Sequence, residues 1–463
     1  MFAIALSGVI LVTHASVAAY MRIPEHMARL KKSSSFGTLG PLSTSTDYPW
    51  PFGTRACYDE RYLWIIPAAG AYFVAFVGNA MYIPFVTLWL DSCGMDLIQI
   101  ESLFAIFLLC RCIAPYLWGR IADATQQHRL VLVAVGSTNA LLVATMTYIP
   151  GTLKWQAVVL PLAGLTDCFA NLEAAILRSL VWAGERKYHS YSRAFACLAY
   201  GLMAPFAGML IDSGNGIAAL FRLYAIIMSL GLVVASQLPI TRAYDACKPP
   251  KADSSNADSL ARTRGGLVCS PRLIFFLSMY VLIGAHMGLS KGLGLLFYKD
   301  QLGASGLELG LVESLPALLQ VPMFFFADDS IDRLGLVASI GAALAAGAAR
   351  HAAYFFATQP RWLLPFEFLY AITFVAEFTV RMRLTEESST RGMQSSAAGT
   401  FAAYRNGGML LGAFTAMLAS VISMSLVFAL SSAVLAAAAV PIFLYSCRRC
   451  DAKESSAEKK QEQ

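Results

Sequence analysis

Charged residues are scarce in this chain. Only 14% of its 463 residues are Asp, Glu, Lys or Arg, and 57% are hydrophobic, whereas soluble domains carry roughly 25% charged residues. The apolar residues form long continuous runs, close to the roughly 20 residues that one membrane-spanning helix needs. They lack the roughly ten-residue alternating segments of a transmembrane barrel. The composition therefore excludes an ordinary soluble protein and predicts an all-α, multi-pass membrane protein.

Signatures of enzyme and cofactor sites are also missing. The sequence has no phosphate-cradling glycine loop, no His-Glu-x-x-His motif and no spaced Cys/His cluster. One stretch, Gly288 to Gly292, matches the Gly-x-Ser-x-Gly of serine hydrolases, but that motif needs a strand before the serine and a helix after it. Here the serine lies inside an apolar helical run. We therefore expect no enzyme activity, no cofactor and no metal site.

Twelve apolar runs are divided equally by a polar segment. Residues 62–240 hold six runs and residues 272–446 hold six more; between them, residues 241–271 form a polar linker, and residues 447–463 form a polar tail. A further apolar run starts the chain, and a tether rich in Pro, Gly, Ser and Thr continues to residue 61. Basic residues follow this run instead of preceding it, which opposes a secretory signal. An extra membrane helix and a false start in the gene model are the two open alternatives.

Basic residues are concentrated on one side of the predicted membrane. The linker, the tail and the loops on the same side carry most of them, whereas the opposite loops hold chiefly Lys154, Lys299 and Arg361. Since short cytoplasmic loops carry an excess of Lys and Arg, the linker and the C-terminus are predicted to be cytoplasmic. The net charge of +6 is spread over loops and tail and indicates orientation, not nucleic-acid binding. The expected partners are the lipid bilayer and a small solute, and the expected state is a monomer.

One basic turn recurs in both halves. The stretch Pro115 to Leu130 and its degraded copy Pro322 to Val337 lie 207 residues apart, from position 115 to position 322. This repeat indicates that the chain is doubled in sequence. The first copy supplies four candidate residues of a conformational switch: Gly119, Arg120, Asp123 and Arg129. We expect the Asp123 carboxylate to clamp the two halves through Arg120 and a helix N-terminus, whose dipole favours negative charge.

The two six-run halves, the basic linker and the Gly-Arg-x-x-Asp turn together resemble the major facilitator superfamily. Three segments are similar to its branch of lactose permease-like and nucleoside:proton symporter-like proteins, in particular the domain-containing protein 6 group: Asp167 to Trp182, Leu311 to Phe326 and Arg361 to Phe374. The chain departs from that group at Gln320, where a carboxylate is typical, and at Arg405. The resemblance implies a twelve-helix fold of two six-helix halves and a transport function.

Ionisable and polar residues inside the predicted spans are the candidates for the functional site, because a charge near the bilayer centre costs at least about 2.5 kcal/mol. The candidate proton-coupling residues are Glu173, Glu313 and Glu367. The candidate solute-binding residues are Asn79, Asp167, Asn171, Arg178, Lys291, Gln320 and Arg405. At 100° per residue, Asp167, Asn171 and Arg178 share one stripe of the fourth span and Glu173 points away from it. The alternative is that these charged residues form ion pairs with a structural role, which fix helix register.

Three functions are compatible with this sequence. The first is secondary transport of a small polar solute, such as a sugar or nucleoside, by alternating access, with Glu173 or Glu313 taking up a driving proton. The second is uncoupled facilitation. The third is a non-transporting receptor or scaffold, which the N-terminal segment and tether motivate. Asn, Tyr, Arg and Glu can build cavities for several solute classes, so the sequence does not name the solute.

Overall fold

Long helices form almost all of the described structure. The computed structural model describes residues 62–182, 188–238, 271–388 and 394–461, and two short paired strands at 263–264 and 267–268. The spans of the first half are Tyr62–Tyr82 continued by Ile83–Phe85 and Val86–Ser92, then Leu97–Thr125, His128–Thr145, Leu153–Leu165 with Phe169–Trp182, Tyr188–Leu210 and Gly216–Ala235. Those of the second half are Pro271–Leu296, Gly306–Leu334, Leu336–Phe356, Pro360–Leu363 with Phe368–Ser388, Gln394–Ala416 and Met424–Gln461. The predicted N-terminal helix and tether lie outside the described residues, as does most of the linker.

The two halves repeat each other at a nearly constant offset. Corresponding spans begin at positions 62 and 271, 97 and 306, 128 and 336, and 216 and 424, which are 209, 209, 208 and 208 residues apart. The second and eighth spans are both 29 residues long, and each begins with a capping box, Asp96 with Gln99 and Ser305 with Glu308. The doubling indicated by the two related turns thus extends over whole halves.

Eleven of the described spans are long and apolar enough to cross a membrane. The exception is the eleventh span, Gln394–Ala416, which packs closely against both the seventh and the second span. A helix enclosed by other helices contacts less lipid, so it tolerates the Ser, Arg and Asn residues that lower its hydropathy. The predicted all-α, twelve-helix fold is therefore confirmed.

The turn expected at Pro115 to Leu130 is much shorter in the structure. The second span continues through Pro115 to Thr125 and the third begins at His128, so the chain reverses at Gln126, whose φ is 58°. In the second half the corresponding reversal is at Gly335, with a φ of 82°, a conformation that glycine adopts without strain. Pro115 and Pro322, which begin the two predicted turns, both lie inside helices. Neighbouring helices of a membrane bundle compensate for the backbone hydrogen bond that each proline removes.

The twelfth span also extends beyond its predicted end. The helix Met424–Gln461 includes almost all of residues 447–463, which the sequence analysis interpreted as a polar tail. Seven of its last ten residues, at positions 452–461, are Glu, Lys or Ala. These are among the strongest helix formers, so loss of hydropathy marks the end of the apolar segment and not the end of the helix.

Glycines allow the closest helix contacts. A Cβ added at Gly288 of the seventh span would lie 2.1 Å from the carbonyl oxygen of Met409 in the eleventh span, within the second half. A Cβ added at Gly208 of the fifth span would lie 2.0 Å from the carbonyl oxygen of Gly306 in the eighth span, across the two halves. Small residues permit this backbone approach between membrane helices.

The two halves meet through the fifth and eighth spans and through the second and eleventh spans. At the end predicted to face outside, the Asp212 carboxylate accepts hydrogen bonds from the backbone N–H groups of Gly306 at 2.8 Å and Leu307 at 2.9 Å. At the opposite end, the Ser190 hydroxyl donates to the Asp328 carboxylate at 2.8 Å. The halves therefore touch near both ends, with a space between these contacts.

Candidate functional site

A cavity of about 160 Å³ lies between the two halves, midway along the spans. Its charged lining residues are Arg111, Glu173, Arg193, Lys291, Glu313, Arg350, Glu367 and Arg405. Its aromatic and amide lining residues are Phe76, Asn79, Phe169, Tyr200, Gln320, Tyr370 and Phe374. Ionisable side chains at this depth are costly unless they are paired or serve a function. The cavity is therefore the candidate functional site.

Glu313 of the eighth span contacts both halves of the molecule. Its carboxylate forms an ion pair with Lys291 of the seventh span and accepts a hydrogen bond from the Tyr200 hydroxyl of the fifth span at 2.6 Å. Tyr200 belongs to the first half, whereas both charged residues belong to the second. Protonation of Glu313 would weaken its attraction for Lys291 and also change a contact between the halves.

Glu367 forms a second ion pair at the cavity wall, entirely within the second half. Its carboxylate is bound by Arg350 at 2.8 Å, and it also accepts hydrogen bonds from the hydroxyls of Tyr354 at 2.7 Å and Tyr298 at 3.1 Å. Arg350 donates in addition to the Ser290 hydroxyl at 2.7 Å. Ser290 is the serine of the hydrolase-like motif. It lies within the helix Pro271–Leu296, not between a strand and a helix.

Glu173 connects the two halves through two arginines. Its carboxylate is bound by Arg193 of the fifth span at 2.8 Å and by Arg381 of the tenth span at 3.2 Å. Arg381 also binds Glu377, one helical turn away, at 2.9 Å. Helical periodicity predicts that Glu173 points away from the polar stripe of its span. Glu173 does point away from this stripe, toward Arg193 of the fifth span and Arg381 of the tenth span.

Arg193 is surrounded by aromatic rings as well as by Glu173. Its guanidinium carbon lies 4.2 Å from the ring centre of Phe76, 4.7 Å from that of Phe378 and 5.1 Å from that of Phe374. Cation–π attraction stabilises a desolvated guanidinium at such distances. Phe76 belongs to the first half and the other two rings to the second, so Arg193 also contacts both halves.

The fourth span is interrupted where the sequence analysis assumed one continuous helix. Its helices Leu153–Leu165 and Phe169–Trp182 are separated by residues 166–168. Asp167 lies in this interruption and binds Arg111 of the second span at 2.6 Å. The break places Asp167 outside the helical stripe that it was expected to share with Asn171 and Arg178. The predicted stripe was wrong for Asp167, because helical phase does not continue across non-helical residues.

Seven of the ten predicted coupling and binding residues line the cavity: Asn79, Glu173, Lys291, Glu313, Gln320, Glu367 and Arg405. Asp167, Asn171 and Arg178 do not line it. Asp167 contributes indirectly, because its partner Arg111 is a lining residue.

Two buried charged residues within the spans were missed from the sequence. Arg193 occurs in an apolar run and was not counted, although a charge in such a run is the signal that identified the other candidates. Glu101 of the second span was missed in the same way. It is fully buried, its carboxylate oxygens have no hydrogen-bond partner among the described residues, and it lies against Gly292 of the seventh span.

The predicted switch residues lie near the end of the second span and the start of the third. Gly119 is buried and Arg129 is exposed. The guanidinium of Arg120 donates to the Tyr116 hydroxyl at 3.0 Å, one turn earlier in the same helix, instead of contacting Asp123. The carboxylate of Asp123 lies 3.9 Å from the His128 ring. Arg120 therefore does not take part in the expected clamp, whereas a clamp formed by Asp123 with a helix end of the second half stays a prediction. The contact between halves described for this end joins Ser190 to Asp328.

Comparisons with known proteins agree with the fold described above. A model of the MFS_1 like family matches residues 65–430. A point mutant of the nucleoside transporter NupG has a TM-score of 0.63 at 15% sequence identity, over 82% of this chain and 100% of that one. The human organic anion transporter MFSD10 (TETRAN) has a TM-score of 0.55 at 16% identity, over 84% of this chain and 99% of that one. No curated protein matches the sequence. At such low identities the structural similarity establishes the fold alone.

Proposed function

Since the chain belongs to the MFS_1 like family, we propose that it is a secondary transporter that moves a small polar solute across a membrane together with a proton. The observation that supports this proposal is the charged cavity between two repeated halves. Solute sites of secondary transporters lie near the bilayer midplane at the interface between repeats, and rocking of one half against the other exposes the site to each side in turn.

Glu313 is the proposed proton-coupling residue. Its carboxylate lines the cavity, pairs with Lys291 and accepts from Tyr200 of the other half. Its protonation state therefore affects both the charge of the cavity and a contact that changes when the halves move. Glu173 is less suited to this task, because guanidinium groups from both halves stabilise its charged form. Glu367 is less suited because its described partners all belong to its own half.

Uptake into proteoliposomes distinguishes the three functions. The probes are labelled sugars, nucleosides and small organic acids, each supplied with and without an imposed pH gradient. A proton-coupled transporter accumulates a probe only with the gradient, an uncoupled facilitator equilibrates it, and a receptor or scaffold moves none. Absence of flux for all probes, in vesicles that contain folded protein, would contradict the proposal.

We expect Glu313→Gln to abolish gradient-driven accumulation and to retain solute exchange, because the amide mimics the protonated carboxyl and removes its titration. Glu387→Gln is the matched control. Its carboxylate forms an exposed ion pair with Arg272 at 3.8 Å, and exposed pairs contribute little. Both activities are measured in the same vesicles. Accumulation by Glu313→Gln at the wild-type rate would assign coupling to another carboxylate, with Glu173 and Glu367 as the next candidates.

The linker and C-terminus are proposed to be cytoplasmic, on the basis of the positive-inside bias. A cysteine at Ser254 and a cysteine at Lys154, introduced separately into a variant without other cysteines, should therefore label from opposite sides of the membrane. An impermeant thiol reagent applied to intact cells should modify only Lys154→Cys. Labelling of both from one side would contradict this topology.

A further inference from the structure

The charges around the cavity are nearly, but not completely, balanced. Five cations from the described part of the chain line the cavity, and four of them have a carboxylate partner. These pairs are Arg111 with Asp167, Arg193 with Glu173, Lys291 with Glu313 and Arg350 with Glu367. The fifth cation is Arg405. Among the described residues it has no ion-pair partner, and its Nε is buried without a hydrogen-bond acceptor.

The carboxylates that act electrostatically on Arg405 are already bound by other arginines. They are Glu377 and Glu173. Arg381 binds Glu377 at 2.9 Å, and Arg193 and Arg381 bind Glu173 at 2.8 and 3.2 Å. Two carboxylates and two guanidinium groups have no net charge. This network therefore leaves the charge of Arg405 uncompensated.

Backbone packing, not an ion pair, fixes the position of Arg405. Its carbonyl oxygen lies against the seventh span, 2.1 Å from the position that a Cβ on Gly284 would occupy. The next residue, Asn406, donates through its side-chain nitrogen to the carbonyl oxygen of Arg111 in the other half at 2.6 Å. These contacts fix the backbone from which the Arg405 side chain reaches the cavity, and none of them needs a carboxylate.

We infer that the transported solute is a small organic anion whose carboxylate or phosphate group binds Arg405. This inference rests on the proposed function, because it takes the ligand of the cavity to be the solute. An uncompensated charge in a low-dielectric interior is costly, and an oxyanion compensates it. The planar guanidinium also matches two oxygens of a carboxylate or phosphate. A neutral solute would leave the charge of Arg405 unbalanced.

The other walls of the cavity indicate what the rest of the anion resembles. Phe374 and Tyr370 stack with their ring centres 6.2 Å apart, at an angle of 27°, and Met287 and Met409 add further apolar surface. Asn79 lines the same cavity, and its buried side-chain oxygen has no hydrogen-bond partner among the described residues. These walls suit a flat or apolar body that carries one polar substituent besides the anionic group.

Binding to the purified full-length protein tests this inference with matched pairs of probes: nicotinate and nicotinamide, benzoate and benzamide, uridine monophosphate and uridine. A ligand that binds the folded state raises the melting temperature. We expect at least one anion to raise it and its neutral counterpart to do so far less. The carboxylate and phosphate pairs also distinguish the two kinds of oxyanion. If no anion stabilises the protein more than its neutral counterpart, the inference is overturned.

Two substitutions at Arg405 then test the residue itself. Arg405→Gln should weaken anion binding roughly tenfold to a hundredfold, the loss of one hydrogen bond to a charged group. Arg405→Lys should weaken it less, because the charge remains and the planar fork is lost. The control is Arg222→Gln, because Arg222 is exposed on the sixth span and donates to Thr147 at 3.1 Å. Equal anion affinity in the wild type and in Arg405→Gln would contradict the inference.

The melting temperature of the ligand-free protein distinguishes an anion-binding role of Arg405 from a structural role. If Arg405 had a structural role, its replacement would lower the melting temperature. Removing an uncompensated charge should raise the melting temperature, so Arg405→Gln should be at least as stable as the wild type. Arg350→Gln, which breaks the buried pair with Glu367, should be less stable. A comparable loss of stability in both variants would mean that Arg405 has a structural partner, and the anion site would be rejected.

Failure of this inference is distinguishable from failure of the transport proposal. If anions bind through Arg405 but proteoliposomes neither accumulate nor equilibrate them, the anion site stands and transport is rejected. If proteoliposomes accumulate a neutral solute and Arg405→Gln leaves this uptake unchanged, transport stands and the anionic solute is rejected.

Discussion

Replacing Gly208 by alanine should abolish transport and leave the protein folded. The added methyl group would lie 2.0 Å from the carbonyl oxygen of Gly306, closer than any van der Waals contact. Gly208 belongs to the first half and Gly306 to the second, so separation of the halves at this end relieves the clash without unfolding either of them. Overpacking typically costs about 1–3 kcal/mol, and a bias of about this size changes a two-state equilibrium by roughly 5- to 150-fold.

Thiol accessibility identifies the state that Gly208→Ala favours. Cys197 lines the cavity, and a variant that retains only this one of the ten cysteines reports on access to it. We expect an impermeant thiol reagent, applied from the side predicted to be outside, to modify Cys197 faster in the presence of Gly208→Ala. Uptake should fall in parallel.

Gly294→Ala is the control for the effect of an added methyl group in a membrane helix. The nearest atom to a Cβ at Gly294 is the Tyr354 hydroxyl oxygen at 3.9 Å, an ordinary contact distance, so this variant should transport normally. Normal uptake by Gly208→Ala would show that the close contact between the fifth and eighth spans is not needed for the transport cycle.

Glu173→Gln should destabilise the protein and stop transport. The carboxylate is the described link between Arg193 of the first half and Arg381 of the second. Without its charge, Glu377 alone remains to compensate these two buried guanidinium groups. Breaking a buried ion pair by removing one partner costs about 3–5 kcal/mol, whereas the exposed-pair variant Glu387→Gln should change stability by less than about 0.5 kcal/mol.

Thermal unfolding and uptake together distinguish the roles that Glu173 can have. If Glu173 holds the halves together, Glu173→Gln has a lower melting temperature, and a further Arg193→Gln substitution recovers part of the loss because it removes the unpaired charge. If Glu173 is instead the coupling carboxylate, Glu173→Gln retains exchange and loses only its dependence on the pH gradient. Wild-type stability together with wild-type accumulation would exclude both roles.

Several features of this protein follow from its sequence alone because their signals are local. Long apolar runs determine where helices cross a membrane, since every backbone polar group in lipid must be satisfied within the helix. Six such runs on either side of a basic linker indicate the doubled fold. A charge within an apolar run identifies a candidate site residue, and this rule selected Glu313, Lys291, Glu367 and Arg405, all of which line the cavity.

Helix boundaries were less accurate where the sequence signal was ambiguous. Pro115 and the polar residues after it indicated a loop, but the second span continues to Thr125. Asp167 was assigned to a helical stripe, but the fourth span is interrupted at residues 166–168. In both places packing against neighbouring helices decides whether the backbone continues as a helix, and one isolated sequence contains no information about those neighbours.

Only the tertiary structure decided which charges are paired. The partners of Glu173 lie 20 and 208 residues away along the chain, and Tyr200 reaches Glu313 across 113 residues. The sequence did not show that Arg405 would remain without a carboxylate partner among the described residues. The sequence determines which charges enter the membrane. The folded arrangement of the two halves determines which of them neutralise one another, because Coulombic attraction depends on distance in space and not on separation along the chain.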